Sequence, residues 1–388
     1  MTTNTIAIAR QQVIFVKKET TAGTLVFPAG GDVVVAAGIG SIVQQPSFSD
    51  SDEIVDSRDV LSRFQDKYQA GDWSFPVYAC PSGTAGTAPS EDVLMESLMG
   101  TKTVNAGTSV VYTLATAKPS FSMWMKKGHT VFFASGATVG ALKSSLETKG
   151  GHKLEFSGQF MGMGWAGTDT LDAAALISAT SVVVHDAKKF SVGGHVEFVE
   201  GTTVYDATTG YAVTEVVIAT NTLTISPGLE AALDDESIIR PYLPTASAVG
   251  TPLENRKGYA TIETVTTPLR SMNLNISDAP KYLDDEITSA NFPTAYVETK
   301  RAVDGTIDVY FRENDLKYFY DGYNASPAGD IALQMIVGST AGSIVTYDMP
   351  TSSLSVPALE DADPTVALNM PYKALGSSGE DSISITYT

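Results

Sequence analysis

The 388-residue chain contains a single cysteine, Cys80, and only four histidines. One thiol excludes an intrachain disulfide, so packing rather than covalent cross-linking must hold the fold, and nothing calls for an oxidising compartment. His129, His152, His185 and His195 are scattered, and none stands at a metal-ligand spacing from another His or from Cys80. Each therefore reads as a surface or strand residue. Basic residues are scarce as well: 25 Lys and Arg against 44 Asp and Glu leave a formal charge of −19. That balance excludes a high-affinity nucleic-acid binder, which would neutralise phosphates with Lys and Arg. An acidic surface can still serve DNA by repelling it. No eighteen apolar residues follow one another, and Met1-Thr2-Thr3-Asn4-Thr5 lacks a charged start leading into an apolar run. The expectation is a soluble protein with no membrane segment, made in the cytoplasm.

Motifs of catalysis are missing too. No Gly-Lys-Ser/Thr closes a glycine-bounded hexapeptide, so there is no phosphate loop. Gly162-Met163-Gly164-Trp165-Ala166-Gly167 has the look of a dinucleotide fingerprint, but no crossover helix follows, and it reads as a flexible joint. The acidic runs Asp234-Asp235-Glu236 and Asp284-Asp285-Glu286 lack the glycine and ligand spacing of a calcium loop and read as solvated turns. Cys80 has no neighbouring His and reads as a buried, inert thiol. No enzyme activity, cofactor or metal is expected.

What is present is β pattern. Hydrophobic residues make up 43% of the chain, enough for the cores of two or three domains. The organising stretch is Asp72 to Tyr78, where Trp73, Phe75 and Val77 alternate with polar or small residues as on one face of a strand. A small-residue loop from Cys80 to Pro89 leads to a short helix, with Ser90 as its expected N-cap and Gly100 as its end. Further strands are expected at Gln12 to Lys18, Ser109 to Leu114, Ser120 to Met125, Thr130 to Ala134 and Lys153 to Phe160. Ser47 to Tyr68 and Ser277 to Ala302 read as long acidic loops or hairpin arms. Between them, Ala173 to Pro244 has short strands at close spacing, the texture of a small β-barrel or sandwich. Thr245 to Pro252 reads as a linker.

The two outer blocks can be laid over one another. Asp52-Glu53-Ile54 meets Asp285-Glu286-Ile287, and Gly71, Trp73, Phe75 and Val77 meet Gly305, Ile307, Val309 and Phe311. The helix up to Gly100 falls on Glu313 to Gly322, Leu146-Glu147 on Leu359-Glu360, Phe160 on Tyr372 and Gly164 on Gly376. The reading is a mainly β chain with two related sandwich or barrel domains at 1–169 and 249–388, each flanked by one α-helix, and a small all-β module at 173–244.

The opening Gln12 to Thr24, the strand Trp73 to Tyr78 and the segment Ala88-Pro89-Ser90-Glu91-Asp92-Val93-Leu94-Met95-Glu96-Ser97-Leu98-Met99-Gly100 resemble the tail tube (major tail) proteins of long-tailed bacteriophages. The resemblance covers the outer blocks and rests on layout more than on invariant residues. It implies a structural protein of the virion tail, stacked rings around a DNA channel, and a loop that reaches the adjacent ring. Six copies of the fold per ring then correspond to three chains with pseudo-sixfold symmetry. Edge strands would pair between chains and close the inner sheets into a barrel. Inter-ring and inter-subunit contacts are expected at Asp52, Glu53, Asp56, Arg58, Arg63, Lys67, Asp284, Asp285 and Glu286. The same resemblance implies a tape-measure protein, a tail terminator and a distal tail protein as partners, with DNA passing an acidic lumen without specific binding. The alternative is a virion-surface protein whose middle module recognises carbohydrate through Phe190, Phe198, Tyr205, Tyr211 or Tyr242.

Overall fold

The computed structural model describes residues 10–54, 59–247, 250–287, 291–323 and 331–388. The chain is mainly β. Its first part carries β1 (Gln12–Lys18), β2 (Val33–Val34), β3 (Ser41–Val43), β4 (Pro46–Asp50), β5 (Arg63–Tyr68), β6 (Gly71–Tyr78), α1 (Asp92–Met99), β7 (Gly100–Asn105), β8 (Ser109–Leu114), β9 (Phe121–Lys127), β10 (Thr130–Glu147), β11 (Lys153–Phe160) and β12 (Gly162–Ala166). The middle part carries β13 (Asp169–Thr170), β14 (Ser181–Val183), β15 (His195–Glu200), β16 (Thr203–Tyr205), β17 (Tyr211–Val217), β18 (Thr222–Ser226) and β19 (Ile238–Pro241). The last part carries β20 (Gly258–Ile262), β21 (Val265–Thr267), β22 (Ser271–Ser277), β23 (Lys281–Tyr282), β24 (Tyr296–Val297), β25 (Ala302–Tyr310), α2 (Leu316–Tyr323), β26 (Ile331–Thr340), β27 (Ser343–Leu354), β28 (Ala358–Ala362), β29 (Thr365–Ala374) and β30 (Ser384–Tyr387).

One antiparallel sheet crosses the whole molecule in the order β3-β6-β11-β10-β22-β25-β29-β28. Strands of the first part fill one side of it and strands of the last part the other. They meet at the β10–β22 seam, which runs in register from Ala141 opposite Ser277 to Glu147 opposite Ser271. The alternation around Trp73 does what its period requires: Trp73, Phe75 and Val77 are buried, while Asp72 and Ser74 face out.

Behind this sheet stand two outer sheets. In the first part β2-β1-β9-β10-β12 pair in that order. In the last part the order is β21-β20-β26-β27-β30, extended by the hairpin β8–β7. Pairing therefore repeats partner for partner: β1 with β20, β2 with β21, β3 with β22, β6 with β25, β9 with β26, β11 with β29 and β12 with β30. The 18-residue β10 corresponds to β27 and β28 together. The arms fall at the same place in both parts, β4–β5 between β3 and β6, and β23–β24 between β22 and β25.

The register repeats as well. Gly71 stands opposite Phe160, and Gly305 opposite Tyr372. A Cβ on Gly71 would come within 2.1 Å of the Phe160 ring, and one on Gly305 within 2.6 Å of the Tyr372 hydroxyl. In each case the glycine makes room for an aromatic ring lying across the neighbouring strand.

The middle strands form a separate sheet, β13-β19-β15-β17-β18-β14, with β16 on β15. A bridge between Leu171 and Val184 returns its last strand to its first, so the module closes on itself. Its core contains Val196, Phe198, Tyr211, Leu223, Ile225 and Ile239.

Several expectations need correction. The stretch from Gly162 is no flexible joint but strand β12, paired along Val131 to Ser135 of β10. Strand β10 continues to Glu147, well beyond Ala134. Its glycines Gly136 and Gly140 accompany register shifts as it passes from the outer sheet to the inner one. Ser90 is not the N-cap: Glu91 occupies that place without a side-chain cap bond. His152 is neither surface nor exposed strand but fully buried. Leu142, not Leu146, is the counterpart of Leu359, since the two stand opposite Phe156 and Leu368. The turn between β28 and β29 is shorter than that between β10 and β11, which produces the offset. Gly164 does not match Gly376, because the last part reaches the counterpart of β12 only after a loop wound on Asp381. That carboxylate accepts bonds from Ser377 and Ser378 at 2.6–3.0 Å, which hold its pKa at about 2.

Candidate assembly surfaces

Three surfaces follow from this topology: a polar sheet face, two open margins and two arms. Residues directly opposite in antiparallel strands share a face, so the transverse sheet can be read in rows. One outward row runs Pro76, Glu155, Lys143, Asn275, Asp304, Lys373. The row on the other side of the sheet runs Phe75, Phe156, Leu142, Ile276, Val303, Ala374 and lies in the core. Acids on the outward face include Asp72, Glu147, Glu155, Asp304, Asp308 and Glu360, against Lys143, Lys153 and Lys373 and against Arg270, which pairs with Asp308 at 3.3 Å. Polar side chains join up across it: Gln159 donates to Asp72 at 3.1 Å, Asn275 to Asp304 at 3.2 Å and Asn273 to Thr306 at 3.1 Å. The face carries acids in excess, with Val43 and Tyr310 exposed among them.

The margins are β3 and β28. Among the described residues β3 pairs only with β6, and β28 only with β29, so no pairing returns from one end of the sheet to the other. An unpaired strand edge presents free N–H and C=O groups that can accept another chain.

Where the two parts meet, by contrast, buried polar side chains have partners. His152 lies there with Nδ1 3.0 Å from Asn255 Oδ1 and Nε2 3.0 Å from the Tyr347 hydroxyl and 3.2 Å from Ser144 Oγ. Burial drives its pKa down to about 4, so the ring is neutral. Glu91, also fully buried, accepts from the Tyr387 hydroxyl at 2.6 Å and from the Cys80 backbone N–H at 3.2 Å, with its pKa raised by desolvation. Cys80 itself is buried and its thiol is pushed up to about 12, as an inert residue requires.

The arms hold the residues expected to make contacts. Arg63 faces Asp50 across the first hairpin at 3.4 Å and lies over the Phe48 ring. Glu53 accepts from Ser62 at 3.3 Å, and Asp52 is exposed beside it. Lys67 donates to the Glu286 carbonyl at 2.6 Å, and Tyr68 stacks on Phe292 at 4.9 Å, so the base of the first arm touches the far loop of the second. Asp284 and Asp285 follow β23, and Asp56 and Arg58 lie outside the described residues.

One element escaped the sequence reading. At the root of the second arm, buried Lys118 pairs with Asp278 at 2.6 Å, and Arg301 bridges Asp278 at 2.5 Å and Glu380 at 2.6 Å. Glu298 lies 3.5 Å from Lys118. Asp278 and Glu298 were visible as acids, but nothing local announced that Lys118, 160 residues away, would meet them.

The module's aromatics are mostly interior. Phe190, Phe198 and Tyr211 are buried in its core, and Tyr242 stacks near Phe27, which itself lies 3.7 Å from the His195 ring. They form no exposed aromatic platform of the kind a sugar would need. Among the described residues no helix is long and apolar enough to cross a membrane.

A family model described as "Phage tail tube protein" matches residues 9–388. Comparison with curated proteins gives no match. The chain belongs to the phage tail tube protein family, whose members are structural parts of the virion tail.

Proposed function

We propose that this tail tube protein is an internally duplicated subunit, three copies of which close into a ring whose stacked repeats form the tube. The observation that carries the reading is the equivalence between seam and margins. At the seam, β10 of the first part pairs with β22 of the last. The counterpart of β10 at the far end of the sheet is the open strand β28, and the counterpart of β22 at the near end is the open strand β3. A second chain that repeats the seam places its β3 along β28 of the first. Two fold units per chain and six per ring give three chains, the heterologous, closing arrangement.

Copying the seam register fixes the new pairing. Ser145 lies opposite Asn273 at the seam. Their counterparts are Ala362 and Val43, so these meet across chains, both on the outward polar face. That face becomes the lumen wall, and its excess of carboxylates repels the DNA phosphates that pass it. The arms lie off the sheet and reach the adjacent ring, with Asp52, Glu53, Arg63, Lys67, Asp284, Asp285 and Glu286, together with Asp56 and Arg58, setting the stacking register more than its strength. The tape-measure, terminator and distal tail proteins would meet the lumen and the two ends of such a tube. The module projects outward, because it would obstruct the channel otherwise.

The test is a Val43→Cys/Ala362→Cys double variant, oxidised after assembly. The expected product is a covalent series that stops at three chains, with rings or tubes of three-chain periodicity by electron microscopy. Cross-linking absent while wild-type tubes form would refute this register; failure of the wild type to form rings or tubes at all would refute the function.

A further inference from the structure

The two helices occupy equivalent places yet differ in what covers them. In α1, Leu94, Met95, Ser97, Leu98 and Met99 are buried, whereas in α2 only Tyr318 is. Leu316 is 59% exposed and Tyr323 82%. The strands beneath show the same contrast. Val139, Leu142 and Leu154 are each 0% exposed, and their counterparts Val356, Leu359 and Val366 are 51%, 58% and 46% exposed. The two sets are apolar in both parts, so composition does not explain the difference.

The last part of the same chain borders the first set. Strand β22 runs alongside β10, and β30 pairs with β8, which together with β7, β10 and β1 of the first part packs on α1; Tyr387 of β30 donates to Glu91 at the head of the helix at 2.6 Å, and Tyr112 of β8 donates to Asp92 at 2.6 Å. Among the described residues helix α2 has no such cover, and its Gly322 rests directly on Ser355 and Val356, next to the open strand β28. The uncovered patch is thus continuous with the open margin.

We infer that α2, with Val356, Leu359 and Val366, is a docking surface for the first part of a second copy of this chain, whose β3 lies along β28 and whose β12 takes the place that β30 takes at the head of α1. The inference rests on the ring reading but names a surface that edge pairing alone does not require. Tyrosine suits it, since its ring is buried on assembly and its hydroxyl is solvated before. In the ring α2 becomes a second contact, made by side chains where the strand edge is made by backbone.

The experiment uses the full chain. Backbone hydrogen exchange is measured for residues 316–323 in free protein and in wild-type rings, and assembly is followed by mass photometry for Leu316→Glu/Tyr323→Glu. Exchange across the helix should slow on assembly. The variant should need roughly a hundredfold more protein to form rings, as loss of a central anchor does, with its melting temperature unchanged. Unchanged exchange in wild-type rings, or rings formed by the variant at the wild-type concentration, would overturn the inference and leave the ring reading standing. Absence of wild-type rings would instead remove the reading beneath it.

Discussion

The seam between β10 and β22 and the margins at β28 and β3 are built from equivalent strands but stand in opposite conditions. At the seam the backbone edges are paired, the apolar side chains are buried and the polar ones, His152 and Glu91 among them, have partners from the other part of the chain. At the margins the same strand positions are open and their apolar residues are exposed. The middle module gives the reference state: its sheet closes within the chain and keeps its large side chains inside. In the transverse sheet the open edges fall where the repeat ends, and the seam shows what satisfies them.

The sharpest way to separate seam from margin is one substitution at two equivalent positions. Leu142→Ala removes a fully buried side chain and should cost about 2–5 kcal/mol in denaturant melts. Leu359→Ala should alter the stability of the free chain by less than about 0.5 kcal/mol while weakening assembly. Equal losses in both would mean that the two strands do not play corresponding parts.

A second test works through pH and touches the seam alone. His152 is held neutral by burial, its pKa lowered from 6.5 to about 4. Between those values the unfolded chain takes up a proton and the folded chain does not. Stability present above pH 6.5 is therefore lost as pH falls towards 4, by on the order of 3 kcal/mol. His152→Gln lacks this proton, so the gap between wild type and variant should narrow from pH 7 to pH 4.5. A gap independent of pH would show that the ring is not held neutral.

The smallest expected effect concerns the outward face. Asp304→Lys/Glu360→Lys should leave the fold and the seam intact but allow tubes to retain DNA at about 50 mM salt, with release by about 200 mM, as phosphate contacts weaken steeply with ionic strength. Wild-type tubes should retain none under either condition. Retention by the wild type would mean that its face is not repulsive.

Much of this organisation was legible in the chain. Gly71 could be matched to Gly305 and Phe160 to Tyr372 by their order along the chain, while the packing of each glycine under the ring on the neighbouring strand emerged only in the fold. The hairpin arms and the module showed through charge and turn spacing. Where reading failed, the cause was a long-range partner. Strand β10 was expected only to Ala134 because the two sheets it joins were not visible, and His152 looked ordinary because Asn255 and Tyr347 lie 103 and 195 residues away. Lys118 gave no local sign of its ion pairs for the same reason. The alignment slipped at Leu146 and Gly164, where unequal turns and the Asp381 loop shift the count.

Alternation of side chains and the spacing of turns determined that this chain makes β-sheets and where strands such as Gln12–Lys18, Ser109–Leu114 and Lys153–Phe160 run, because those features depend on neighbours in sequence. Which edges are closed and which stay open was decided only by the tertiary structure. Pairing partners lie far along the chain, and burial at one end of a repeated sheet depends on whether another copy of the repeat follows it.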